Sequence, residues 1–67
     1  MLVRDVVNLL GKTSYEIRGT SSGKLYYRSF TGMRKNLDRY LSNKVTKLYS
    51  KKDKYGNPIV GIWMVDK

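Results

Sequence analysis

Apolar residues recur at helical spacing near the start of the chain. Val3, Val6, Val7 and Leu10 lie three or four positions apart, and Gly11 follows where a left-handed helix cap is common. The pattern predicts a short first helix. Its β-branched valines lower the intrinsic helix propensity, so this helix needs tertiary packing, and a strand is the competing prediction.

A first β-hairpin is predicted from strand-like segments on either side of a loop. Residues 15–18 alternate, residues 19–23 are rich in Gly and Ser, and residues 24–30 are rich in β-favouring aromatics. With Ile17 pointing inward, its neighbours along the strand point to the opposite face. The loop lacks the Lys-Ser/Thr ending and following helix of a P-loop, so we interpret it as a plain turn.

A second amphipathic helix is predicted after the first hairpin. Thr31 is a candidate N-cap, and Met33, Leu37, Tyr40 and Leu41 fall on one side of a helix. Charged residues occupy the other side, as expected for a helix with one buried face.

The last third of the chain carries the strongest β signal. Residues 45–51 form a predicted third strand, and residues 59–65 are apolar on both alternating faces. Between them, Gly56 and Asn57 tolerate positive φ, and Pro58 suits the start of a strand. These segments predict a second hairpin.

The element order αββαββ predicts an α+β fold, with residues 1–67 as a single small domain. We expect a four-stranded antiparallel sheet with two short helices on one face and the other face open. The side chains predicted to form the core between helices and sheet are Val6, Val7, Leu10, Ile17, Leu37, Leu41, Leu48, Val60, Ile62 and Met64.

Composition restricts the chemistry. The chain has no Cys and no His, which excludes thiol and imidazole catalysis and the common zinc sites. Its 5 acidic residues are too scattered for a calcium loop. We therefore predict no enzymatic activity, no cofactor and no metal. Because Arg4, Asp5 and Asn8 interrupt the first apolar run, we also predict a soluble, cytoplasmic protein without a membrane partner.

Charge points to a polyanionic partner. The 14 Lys and Arg residues against 5 Asp and Glu give a net charge of +9, a large excess for 67 residues. Such an excess favours nucleic acid as the partner when the cations cluster on one surface.

Four segments share their spacing with a group of known small proteins. They read VRDVVNLLG, YEI, GKLYY and LDRYLSNKV in chain order. Through them the chain resembles small uncharacterised proteins encoded by prophages and conjugative elements of Firmicutes. The resemblance implies a phage or mobile-genetic-element setting and no particular activity. The strong basicity of this chain departs from the acidic character of many of those proteins.

Cations and aromatic rings share the predicted open face of the sheet. The residues placed there are Arg18, Lys24, Tyr26, Arg28, Lys47, Tyr49, Lys51 and Trp63. Cations follow phosphates and flat rings stack on unpaired bases, so this face predicts binding of nucleic acid, DNA or RNA. The Lys-rich hairpin adds Lys52 and Lys54, which suit a duplex backbone or groove.

The same residues also suit structural roles and contacts with protein. Tyr49 and Trp63 can pack as a cross-strand pair covered by lysine stems. Lysines beside an exposed strand also discourage pairing of strand edges. Aromatic and Arg side chains are favoured anchors of protein interfaces too. The alternative prediction is therefore a non-enzymatic interaction factor that binds a host or element-encoded protein.

Overall fold

In the computed structural model, which describes residues 1–29 and 34–66, each of two hairpins follows a helical segment. The elements are α1 (Val3–Leu10), β1 (Ser14–Gly19), β2 (Leu25–Arg28), a 3₁₀ helix (Arg34–Arg39), β3 (Val45–Lys52) and β4 (Pro58–Met64). The small α+β fold with four strands is confirmed. Phe30, the last residue of the predicted second strand, lies outside the described residues.

The strands form one mixed sheet in the order β2-β1-β4-β3. Both hairpins are antiparallel, but the inner strands β1 and β4 run parallel. The prediction of a wholly antiparallel sheet is therefore wrong at the central pairing. Alternation fixes the face that a side chain takes, whereas the direction in which two hairpins meet depends on the path of the connection between them. The inner position of β4 accounts for its apolar residues on both faces.

The second helix is tighter than predicted. Arg34–Arg39 form a 3₁₀ helix, which is closed by a hydrogen bond from the N–H of Tyr40 to the carbonyl of Leu37 at 2.9 Å. A further turn follows, in which the N–H of Asn43 donates to the carbonyl of Tyr40 at 3.0 Å. The segment lacks alanine and contains Asn and Asp, whose side chains compete with helical backbone hydrogen bonds. A short 3₁₀ run suits such a sequence. The predicted start of this helix, with Thr31 and Met33, lies outside the described residues.

The first helix is present, and the competing prediction of a strand is wrong. Its two buried side chains, Val3 and Val6, contribute to the core, as the helical spacing predicted. At its start the Asp5 carboxylate accepts a hydrogen bond from the N–H of Leu2 at 2.9 Å, satisfying a backbone donor that the helix leaves free. Gly11 follows its last residue with φ of 59°, a conformation that L side chains rarely adopt.

The core lies between the sheet and the helical segments. Its buried members are Val3, Val6, Tyr15, Ile17, Tyr27, Ile62 and Met64, and Val7, Leu10, Tyr26, Leu37, Tyr40, Leu41, Val45 and Val60 pack against them. All the predicted core residues belong to it except Leu48, which is 45% exposed because β3 lies at the edge of the sheet. Full burial of a large apolar side chain stabilises the fold by about 1.5–3 kcal/mol. The core covers one face of the sheet, and the opposite face points away from the helical segments.

Candidate nucleic-acid interface

The sheet face turned away from the core carries rows of cationic and aromatic residues. Strand pairing aligns Arg18 with Trp63 and Trp63 with Lys47, so that one row runs across three strands. By this pairing the open face consists of Ser14, Glu16, Arg18, Leu25, Arg28, Lys47, Tyr49, Lys51, Ile59, Gly61 and Trp63. These residues come from all four strands.

A buried carboxylate lies at the centre of the open face. Glu16 is 0% exposed and accepts a hydrogen bond from the hydroxyl of Tyr49 at 2.6 Å. Three cations surround it, with Lys51 Nζ at 3.0 Å, Arg28 Nε at 3.3 Å and Arg18 Nε at 3.6 Å. Each of these cationic side chains is itself 29–40% exposed, so the carboxylate lies one side-chain layer below the solvent. One negative charge against three positive charges leaves this cluster with a net charge of +2.

The groups around Glu16 keep it ionised. Burial alone would raise the pKa of its carboxyl, but hydrogen bonds from Tyr49 and Lys51 and the charges of Lys51 and Arg18 outweigh burial and hold the pKa below its ordinary value. Burial and the neighbouring carboxylate raise the pKa of Tyr49. Its hydroxyl therefore stays protonated near neutral pH and remains a hydrogen-bond donor.

Acid should destabilise the fold through Glu16, Asp53 and Asp66, whose carboxyl pKa values are all lowered. The hydroxyl of Ser22, the N–H of Ser21 and the hydroxyl of Tyr26 hydrogen-bond the Asp66 carboxylate and lower its pKa to about 2. A carboxyl with a lowered folded-state pKa stabilises the fold above its unfolded pKa of about 4, and that stabilisation is lost as the pH falls through the folded pKa. We expect the melting temperature to fall most steeply between about pH 4 and about pH 2.

A matched variant isolates the contribution of Asp66. Asp66→Asn should flatten the melting profile between about pH 4 and about pH 2, because asparagine does not titrate. Scanning calorimetry of both chains at several pH values makes the comparison. A melting temperature that stays constant down to about pH 2 in the unchanged chain would contradict these pKa assignments.

Tyr49 and Trp63 form the aromatic part of the open face. Their ring centroids are 5.9 Å apart and their planes are tilted by 47°. A Cβ added at Gly61 would overlap the ring of Tyr49, so glycine is what allows this ring to lie directly on β4. The cross-strand packing of Tyr49 and Trp63 is therefore present, and Trp63 stays partly exposed beside it.

Tyr26 does not lie on the open face, contrary to the prediction. A break in the register between β1 and β2 pairs Arg18 with Leu25 in place of Tyr26. Tyr26 packs on the core side, with its ring centroid 5.4 Å from that of Tyr40 and its hydroxyl donating to Asp66 at 3.0 Å. An extra residue in one strand reverses the faces of the residues beyond it, and alternation within that strand alone does not reveal it.

Three of the predicted cations lie at hairpin ends and away from the open face. Lys24 is exposed in the first loop, with Nζ 5.3 Å from the ring centroid of Tyr26. Lys52 alternates to the core side of β3, and Lys54 lies in the turn with Nζ 5.1 Å from the ring centroid of Tyr55. The predicted site residues that the structure does bring together are Arg18, Arg28, Lys47, Tyr49, Lys51 and Trp63.

The turn of the second hairpin is ordered by a carboxylate. Asp53 accepts hydrogen bonds from the N–H of Tyr55 at 2.8 Å and of Asn57 at 2.9 Å. Backbone N–H of Asn57 contributes most to lowering the pKa of Asp53, which therefore stays ionised and offsets one lysine charge of this hairpin. These hydrogen bonds fix the backbone of the turn that carries Lys54.

Sequence reasoning assigned no role to two residues of this site. Glu16 was placed on the correct face, but no strand pattern indicates that three cations converge on it. Gly61 carried a usable signal, because a glycine inside an apolar strand indicates close approach of another group. In this chain that group is the ring of Tyr49.

Comparison with protein-family models, curated proteins and solved structures finds no match to this chain. Within residues 1–29 and 34–66, no group of three or more acidic residues is placed to hold a metal ion. No helix in the described part of the chain has the length and apolar character needed to cross a membrane.

Proposed function

We propose that this protein binds single-stranded nucleic acid on its open face. The observation that carries the proposal is the row formed by Arg18, Trp63 and Lys47, in which a partly exposed indole lies between two cations. Two strand spacings separate the outer members of the row by about 10 Å between Cα atoms. A base stacked on Trp63 would have a phosphate on each side within reach of a long cationic side chain.

The charge of the open face supports the same proposal. Glu16 offsets one of its three neighbouring cations, and the remaining net charge of +2 still attracts phosphate. Lys47 forms no ion pair with a carboxylate among the described residues, so it is free to contact phosphate directly. The overall charge of +9 adds long-range attraction that speeds encounter with a polyanion.

The hairpin of β3 and β4 extends the proposed surface. Lys52 and Lys54 lie beyond the open face, on the core side of β3 and in the turn. There they would contact backbone phosphates that continue past the stacked bases. The role we propose is binding without catalysis, in the phage or mobile-element setting that the sequence resemblance implies.

Replacing Trp63 should weaken binding without changing its salt dependence. Trp63→Ala removes a stacking ring, so affinity for a single-stranded oligonucleotide should fall by about 1–3 kcal/mol. The slope of log K against log salt should stay the same, because stacking releases no counterions. Fluorescence anisotropy of a labelled oligonucleotide, titrated at two or more salt concentrations, measures both quantities.

A charge variant and two controls complete the same titration. Lys47→Ala should reduce the magnitude of the salt slope by about 0.7 on a single strand. Lys12→Ala makes the same charge change at an exposed position off the open face, and Tyr26→Phe alters a ring on the core side; neither should change affinity or slope appreciably. If no oligonucleotide binds even at low salt, the proposal fails, and a protein-interaction factor with Trp63 at its interface replaces it.

A further inference from the structure

The outer edge of β3 is unpaired over most of its length. At its start, the N–H of Val45 donates to the carbonyl of Met1 at 2.9 Å. Past this contact, no strand among the described residues pairs with the edge formed by residues 46–52, since β3 is the outermost strand and its other edge is bonded to β4. Free backbone donors and acceptors in a row are a template for a further strand.

The side chains along this edge specify what such a strand should carry. On the open face the edge carries Lys47, Tyr49 and Lys51. On the core side it carries Leu48, Ser50 and Lys52, of which Leu48 is apolar and 45% exposed. In an added strand, side chains opposite the lysines would need to be acidic, and those beside Leu48 would need to be apolar.

We propose that residues 46–52 accept an extended acidic segment of a partner protein as a fifth strand, with acidic and apolar residues alternating along it. Main-chain hydrogen bonds would supply affinity, and the alternating side chains would supply specificity. Residues 44–54 contain five lysines and one aspartate, a strong complement to an acidic strand. This edge lies beside the open face, so the inference goes beyond the proposed function and does not depend on it.

A second copy of this chain is a poor occupant of the same edge. Pairing two β3 strands would bring the lysines of one copy against those of the other, and like charges on facing strands repel. The same lysines that discourage self-association attract a strand of opposite charge.

A short synthetic peptide tests the proposal on the whole chain. The probe is a blocked peptide of alternating glutamate and valine, and the readout is amide hydrogen exchange by NMR. Binding should slow the exchange of amides within residues 46–52 that face outward from the sheet. A peptide of the same composition with its valines grouped together, and one with a central proline, should bind at least about tenfold more weakly, since proline cannot donate to the ladder.

Charge reversal on the protein gives an independent measurement. Lys47→Glu should weaken binding of the alternating peptide by about tenfold or more, because it replaces an attraction with a repulsion. Lys12→Glu, with the same charge change in the connection between α1 and β1, should leave affinity unchanged. Both positions are exposed, and circular dichroism verifies that each variant is folded.

Three results would overturn the proposal. The proline-containing peptide could bind as tightly as the alternating one, which would leave only charge attraction. The alternating peptide could bind without slowing exchange within residues 46–52. A single-stranded oligonucleotide, and not the peptide, could protect those amides, which would assign the edge to nucleic acid. The proposed function is tested by a separate measurement, the effect of Trp63→Ala on affinity for the oligonucleotide.

Discussion

Glu16→Gln should lower the free energy of unfolding by about 2–4 kcal/mol while strengthening binding to single-stranded nucleic acid. Glutamine keeps the shape of the side chain and an acceptor for Tyr49, but it removes the charge that three cations share. Breaking a buried ion pair by removing one member costs about 3–5 kcal/mol. We expect a smaller loss here because the surviving cations are partly exposed and water can solvate them.

The gain in binding follows from the same change in charge. Without the carboxylate, the net charge of the cluster rises from +2 to +3. One more cation can then contact a phosphate of the nucleic acid and release its counterion. The magnitude of the salt slope should rise by up to about 0.7. Denaturant unfolding measures the stability, and oligonucleotide titration at several salt concentrations measures the slope.

Asp38→Asn is the matched control for this experiment. It makes the same change in net charge at an exposed position in the 3₁₀ helix. Its stability should stay within about 0.5 kcal/mol of the unchanged chain, and its salt slope should not move. If Glu16→Gln weakened binding while remaining folded, the cations around Glu16 would not be the phosphate contacts.

Gly61→Ala should be at least as damaging, at about 2.5–6 kcal/mol. The new Cβ would overlap the ring of Tyr49, forcing the ring off β4. Overpacking of this kind costs about 1–3 kcal/mol. Moving the ring also breaks the hydrogen bond to the Glu16 carboxylate, and a bond to a charged group contributes about 1.5–3 kcal/mol. Urea unfolding measures the loss, and Trp63 emission should report the displaced ring beside it.

A double-mutant cycle isolates the part played by the ring. In a chain that already carries Tyr49→Ala, the change Gly61→Ala should cost less than about 1 kcal/mol, because the space above β4 is then empty. Equal costs in the two backgrounds would show that the ring does not set the requirement for glycine at this position.

The parts of the fold that the sequence predicts are those that local patterns determine. Alternation placed Ile17 and Ile62 in the core and Glu16 and Trp63 on the other face, because burial of one face of a strand fixes which residues point to the core. It could not show that β1 and β4 run parallel. It also missed the exposure of Leu48, since the position of a strand within a sheet is a property of the whole topology.

Prediction of the candidate site was limited in the same way. Lys47, Tyr49 and Trp63 meet on one face because they share two strands whose pairing is local. Tyr26 left that face through a register break, which depends on the pairing between two strands. The convergence on Glu16 requires residues from β1, β2 and β3 together, so it becomes visible only once the strand order is known.

The parallel pairing of β1 with β4 also bears on how quickly the chain can fold. It joins Ser14 to Ile59 and Gly19 to Met64, residues near opposite ends of the sequence, whereas each hairpin closes only a short loop. Loop closure must precede any stabilisation from such distant contacts, so joining the two hairpins should be the slow event. Because the hairpins must form before they join, destabilising changes within either hairpin, β3 included, would then slow folding.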